Sequence, residues 1–231
     1  MENSAILLTA ASLGFIHTVL GPDHYIPFVA LAKARDWSKA RTALVTFLCG
    51  LGHVLSSVLI GLGGIWLGTE VGRLEWIEGI RGDVAGWLLV SFGLLYMLWG
   101  IKKAVRREKH SHLHSHGGPG HSHEHGHEAD HLHPHGQTAS VTPWALFIVF
   151  VFGPCEPLIP VLMYPALKTG MGLAMTAAAV FSAVTVATMM ASVFLLLWGI
   201  KMFPAERMTR YSHALAGFAV LACGVAVKAG L

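Results

Sequence analysis

Long apolar runs separated by short polar stretches dominate this chain. Runs long enough to cross a bilayer lie near residues 5–32, 43–67, 84–101, 142–166, 172–200 and 211–228. Backbone groups in lipid must find partners inside the chain, so each run predicts a helix. A β-barrel would alternate apolar and polar positions, and Trp87-Leu88-Leu89-Val90 does not alternate. The pattern therefore predicts an all-α, polytopic membrane protein with six transmembrane helices. The opening Met1-Glu2-Asn3-Ser4 lacks the basic stretch of a signal peptide, so the first run is expected to be a retained span.

Composition sharpens this picture. The chain is 54% hydrophobic and only 13% charged, about half the charge of an ordinary soluble domain. A net charge of +3 is too small and scattered to suggest nucleic acid. Cys49, Cys155 and Cys223 form no CxxC pair, which argues against a disulfide framework or dithiol centre. Lys33, Arg35, Lys39, Arg41, Lys102, Lys103, Arg106, Arg107, Lys109, Lys201, Arg207 and Arg210 fall on one side of the predicted spans. The other side holds Arg73, Arg81, Lys168 and Lys228 among Glu70, Glu75, Glu78 and Asp83. The positive-inside bias makes the first side cytoplasmic and places both termini outside.

The halves look related. Gly21-Pro22-Asp23-His24-Tyr25-Ile26-Pro27 interrupts the first run, and Gly153-Pro154-Cys155-Glu156-Pro157-Leu158-Ile159-Pro160 interrupts the fourth. Each break opens a unit of three spans, and an odd number of spans reverses the orientation of the second unit. Residues 1–107 and 142–231 are thus expected to be inverted repeats with broken first helices, joined by a cytoplasmic segment at 108–141.

Chemistry gathers at the breaks. Away from the span ends, Asp23 and Glu156 are the expected intramembrane charges, with no Lys or Arg to neutralise them. An unpaired carboxylate in hydrocarbon calls for a cationic guest, either a metal ion or protons. His17, His24, His53 and Cys155 complete a candidate metal site with the two acids. Imidazole and thiolate suit nickel, cobalt, zinc or copper better than magnesium or calcium. Pro22 supplies no amide donor and so frees a carbonyl of the preceding turn. Blander roles compete: Asp23 could cap the second half-helix, His53 could hydrogen-bond between helices, and Cys155 could be a small packing residue.

The joining segment carries His110, His112, His114, His116, His121, His123, His125, His127, His131, His133 and His135, among Gly, Ser, Glu and Asp. Such a composition cannot bury a core, so disorder without metal is expected. Its histidines would chelate nickel, cobalt or zinc with little selectivity. Buffering, delivery and sensing of metal all fit the segment equally.

His17-Thr18-Val19-Leu20-Gly21-Pro22-Asp23-His24 resembles the H-x4-D-H motif of nickel/cobalt permeases, with one extra residue in the spacing. Six spans, the two Gly-Pro breaks and the histidine-rich loop resemble the NicO/UreH-like branch of the LysE-type exporter superfamily. That resemblance implies transport of nickel or cobalt across a prokaryotic plasma membrane, with His17, Asp23, His24 and His53 as ligands. Export is expected ahead of uptake, with protons as the coupling ion and a homo-oligomer as an allowed assembly. The alternatives are a CcdA-like membrane redox carrier, which needs two facing cysteines, and a metal sensor or insertion partner that transports nothing. An exporter of organic or sulfur anions would need a basic residue mid-span. No nucleophile–base arrangement suggests an enzyme.

Deleting residues 110–135 should reduce the number of nickel ions bound per chain while leaving residual transport. Imidazole binds metal only when neutral, and its ordinary pKa is about 6.5. Titration of the full chain should therefore show loop binding weakened about tenfold or more between pH 7.5 and pH 5.

Overall fold

The structure, a computed structural model, describes residues 2–105, 112–114, 121–123, 141–201 and 210–230. Helices α1 (Glu2–Leu20) and α2 (Ile26–Ala34) flank a single 3-10 turn at Pro22–His24. Helices α3 (Lys39–Trp66) and α4 (Val71–Val105) complete the first half. The second half contains α5 (Val141–Phe152), α6 (Leu158–Lys168), α7 (Met171–Lys201) and α8 (Ser212–Lys228). Asn3–Leu20, Lys39–Trp66, Val71–Val105 and Met171–Ile200 are long and apolar enough to cross a membrane. The chain is thus a helical membrane protein. Large apolar side chains such as Leu59, Trp66, Leu95, Leu167 and Leu195 face outward, as a lipid solvent demands.

Between the halves, His112–His114 and His121–His123 pair as two antiparallel three-residue strands. The remaining histidine-rich positions, and with them the expected disorder, lie outside the described residues.

Local signals explain several boundaries. Ser38 caps α3, its hydroxyl accepting from the Arg41 amide at 3.2 Å, so that helix starts four residues before the apolar run. The third span differs more. The run at 84–101 is only the inner part of the 35-residue α4. At 1.5 Å per residue this helix is about 52 Å long, against about 30 Å of hydrocarbon. Arg73, Glu75, Glu78, Arg81 and Asp83, read from the sequence as outside the spans, all belong to it. Hydropathy ended the span early because it counts every charge against a helix. Glu78 and Arg81, however, are three apart on one face and pair with each other.

Packing places α4 against α8 and α1 against α7. Helix α3 touches α5, α6 and α7, while α2 touches α7 and α8, and α4 touches α6. The α4–α8 contact is backbone-close. A Cβ on Gly93 would stand 2.3 Å from the Leu221 nitrogen, and one on Gly217 would stand 2.2 Å from the Met97 nitrogen. Membrane helices associate through such small residues because lipid gives apolar side chains no reason to leave it. Lys228, at the end of α8, pairs with Asp83 at one end of the α4–α8 contact. At the other end, the Tyr96 hydroxyl lies 2.9 Å from His213 Nδ1, and Arg210 Nε donates to the Ala104 carbonyl at 2.9 Å. Arg35 Nε also donates to the Tyr96 hydroxyl. Lys103 Nζ lies 3.0 Å from His213 Nε2, so the basic residues Arg35, Lys103 and Arg210 are gathered at a single end.

Gly93→Ala should destabilise the protein by about 1–3 kcal/mol or more, because the backbone it meets cannot yield. Gly63, with open space where a Cβ would go, provides the control. Thermal unfolding in detergent should separate Gly93→Ala from a near-neutral Gly63→Ala.

Candidate functional site

Both helix breaks face the same interior, and they bring five of the six sequence-predicted ligands together. At the first break Pro22 has no amide to continue α1, and Gly21 adopts an extended conformation (φ −89°, ψ 93°). The 3-10 turn that follows carries Asp23 and His24. His24 is buried, and its Nδ1 lies 3.1 Å from the Gly21 carbonyl and 3.2 Å from Asp23 Oδ1. Both neighbours are acceptors, which assigns the proton to Nδ1 and leaves a lone pair on Nε2. A Cβ at position 21 would come within 2.5 Å of the His24 ring, so glycine there is a condition of this geometry.

Three histidine rings converge on this point. The His17 and His24 centroids are 4.7 Å apart, His24 and His53 are 5.0 Å apart, and His17 and His53 are 6.2 Å apart. Cys155, fully buried at the second break, places Sγ 3.8 Å from His17 Nε2. One ligand atom each from His17, His53 and Cys155 lie within 4.8 Å of one another. A transition metal bound at about 2.0–2.3 Å needs its ligand atoms roughly 3.5 Å apart, so a small contraction would complete the cage.

Unmet hydrogen-bonding capacity marks the same place. His24 Nε2 and both ring nitrogens of His53 are buried without a hydrogen-bond partner. The Phe150 carbonyl lies beside the His53 ring but outside good hydrogen-bond geometry. Buried polar atoms are almost always paired, so orphaned imidazole nitrogens beside a thiol point to a ligand. Asp23 takes the outer position, holding His24 through Nδ1, as carboxylates orient metal-binding histidines elsewhere.

Glu156 does not join. Its side chain is exposed, whereas its neighbour Cys155 turns inward. The expected meeting of Asp23 and Glu156 around one guest is thus absent among the described contacts. Another acid reaches the second break. Glu78 is fully buried, and its Oε2 accepts from the Cys155 amide and from the Ser57 hydroxyl, each at 2.9 Å. Arg81 pairs with Glu78 and donates to the Ser56 hydroxyl at 2.6 Å, the Val151 carbonyl at 2.7 Å and the Gly153 carbonyl at 3.2 Å. A basic residue therefore does lie within the helical core, contrary to expectation. Its charge is committed to Glu78 and to backbone carbonyls. The spacing Glu78-Gly79-Ile80-Arg81 was the available signal, but an i,i+3 pair near a helix start reads equally well as an exposed one.

The cysteines are free thiols, and Cys49, Cys155 and Cys223 sit apart in different packing environments. Cys223 of α8 comes nearest the first break, with Sγ 4.0 Å from the Pro22 carbonyl. No protein-family model, curated protein or solved structure matches the chain.

Asp23→Asn should lower nickel affinity about 10–100-fold, because the amide holds His24 less firmly and less basically. Isothermal titration with the loop-deleted protein isolates this site, and unchanged affinity would remove Asp23 from it.

Proposed function

We propose that this protein is a membrane transporter of divalent transition-metal ions, nickel and cobalt foremost. The observation that carries the reading is the group of buried His53 and Cys155 with half-buried His17 beside His24, with three ring nitrogens left without partners. Nitrogen and sulfur donors of this kind bind borderline metals and discriminate against magnesium and calcium. A charged guest is also the simplest reason to keep so many polar groups within apolar helices.

The architecture fits transport by alternating access. The pairing of helices exchanges in part between the halves: α1 on α7 answers α5 on α3, α2 on α8 answers α6 on α4, and α2 on α7 answers α6 on α3, while α6 packs on α7 far more closely than α2 on α3. Helices α4 and α8 meet each other, as do α3 and α7. This supports two inverted three-span repeats whose broken first helices form the site at their interface. With the site so placed, rocking one repeat against the other would open it to either side. The histidine-rich segment would gather metal on the cytoplasmic side, which favours export. Resemblance to the NicO/UreH-like group agrees with this reading. Proton coupling fits the ligand chemistry, since the Cys155 thiol must give up its proton to ligate a metal.

Proteoliposomes loaded with nickel-sensitive dye provide the test. Wild-type protein should carry nickel and cobalt down their gradients, and faster when an opposing proton gradient is imposed. His24→Ala should abolish flux while leaving insertion and folding intact. Equal flux in wild type and His24→Ala would refute the transport site. Metal binding with no flux in wild-type protein would instead support the sensor reading.

A further inference from the structure

We propose that Glu78 and Arg81 form a positioning clamp that caps both sides of the second helix break and thereby decides whether the bound metal receives a sulfur ligand. The inference rests on the metal-site reading above and assigns a role to two residues that stand outside the ligand set.

A helix that ends inside a membrane leaves carbonyls without donors, and the chain that resumes beyond it leaves amides without acceptors. Prolines worsen the deficit at 153–157, because Pro154 and Pro157 have no amide. Arg81 and Glu78 meet it from both sides. Arg81 Nη2 donates to the Val151 and Gly153 carbonyls at and just past the end of α5 while Nη1 faces Glu78, and the Glu78 carboxylate accepts from the Cys155 amide. Arginine suits this task because its planar fork can hold several acceptors in fixed directions.

The clamp also reaches the facing helix. Ser56 accepts from Arg81 and donates to the His53 carbonyl at 2.8 Å, and Ser57 donates to Glu78. One connected network therefore fixes the backbone of Cys155 on the second break and that of His53 on α3. Close packing reinforces it. A Cβ on Gly153 would stand 3.1 Å from His53 Nδ1, and one on Gly82 would stand 2.9 Å from Pro154. Losing the clamp would free Cys155 to swing away, leaving an imidazole-only site.

Cobalt spectroscopy of the full chain in detergent tests this directly. A cobalt–thiolate bond produces an intense near-ultraviolet charge-transfer band, while cobalt bound by imidazole alone does not. The histidine-rich segment contains no cysteine, so it cannot contribute that band. Wild-type protein should show the band, and Cys155→Ser should lose it. Glu78→Gln and Arg81→Lys should still bind cobalt, with the weaker visible bands retained. Both should lose most of the charge-transfer intensity and about 10–100-fold in affinity at the site. Ser56→Ala, which removes a single anchor, should produce a partial loss and covers the case in which the other variants fail to fold. Full band intensity and unchanged affinity in the folded clamp variants would overturn the positioning role while leaving the metal site standing. Absence of the band from wild-type protein that still binds cobalt would overturn the sulfur ligand and the positioning role with it, and absence of cobalt binding at the site would overturn the metal-site reading.

Discussion

Two breaks in otherwise apolar helices govern this structure, because lipid offers an interrupted backbone no hydrogen bonds. Each break must be satisfied from within, and the two halves use different means. The first satisfies itself: the 3-10 turn bonds the His24 amide to the Gly21 carbonyl, and Asp23 with Gly21 engages the His24 ring. The second borrows an ion pair from α4, with Arg81 covering carbonyls and Glu78 covering an amide. A buried pair of this kind contributes little net stability, since desolvation offsets most of the attraction. Its use here lies in geometry.

That difference shapes the site between the breaks. At the breaks the His24 and Cys155 amides and the Gly21, Val151 and Gly153 carbonyls are paired, while three imidazole nitrogens between them are not. The backbone frame at the breaks is thus held while the imidazole nitrogens between them are not, which is the arrangement the proposed ion site requires. Its donors come from α1, the first break, α3 and the second break, so an ion held there would bridge both halves of the molecule. Release would then depend on how the halves move, a natural link between occupancy and conformation in a carrier.

The tight α4–α8 contact fits this plan. Gly93 and Gly217 let backbones approach until side chains are excluded, forming a stiff pair from the last helix of each half. Lys228 with Asp83 and Tyr96 with His213 secure its two ends. Such a pair would act as a frame against which the shorter broken helices are held.

Much of this was legible in the chain alone. Apolar length determined the helical membrane class, because a span needs about twenty apolar residues whatever it packs against. Gly21-Pro22 and Gly153-Pro154 announced the breaks, since proline removes a donor in any context. His17, His24, His53 and Cys155 were recognisable as candidate ligands by type and depth, and the fold brings them together. Only the tertiary structure decided which acid belonged where. Glu156 follows Cys155 in sequence but faces outward, and Glu78, 77 residues before Cys155, takes the inner place. Sequence reports how costly a charge is in hydrocarbon, but the partner that offsets the cost is chosen by packing between helices distant along the chain.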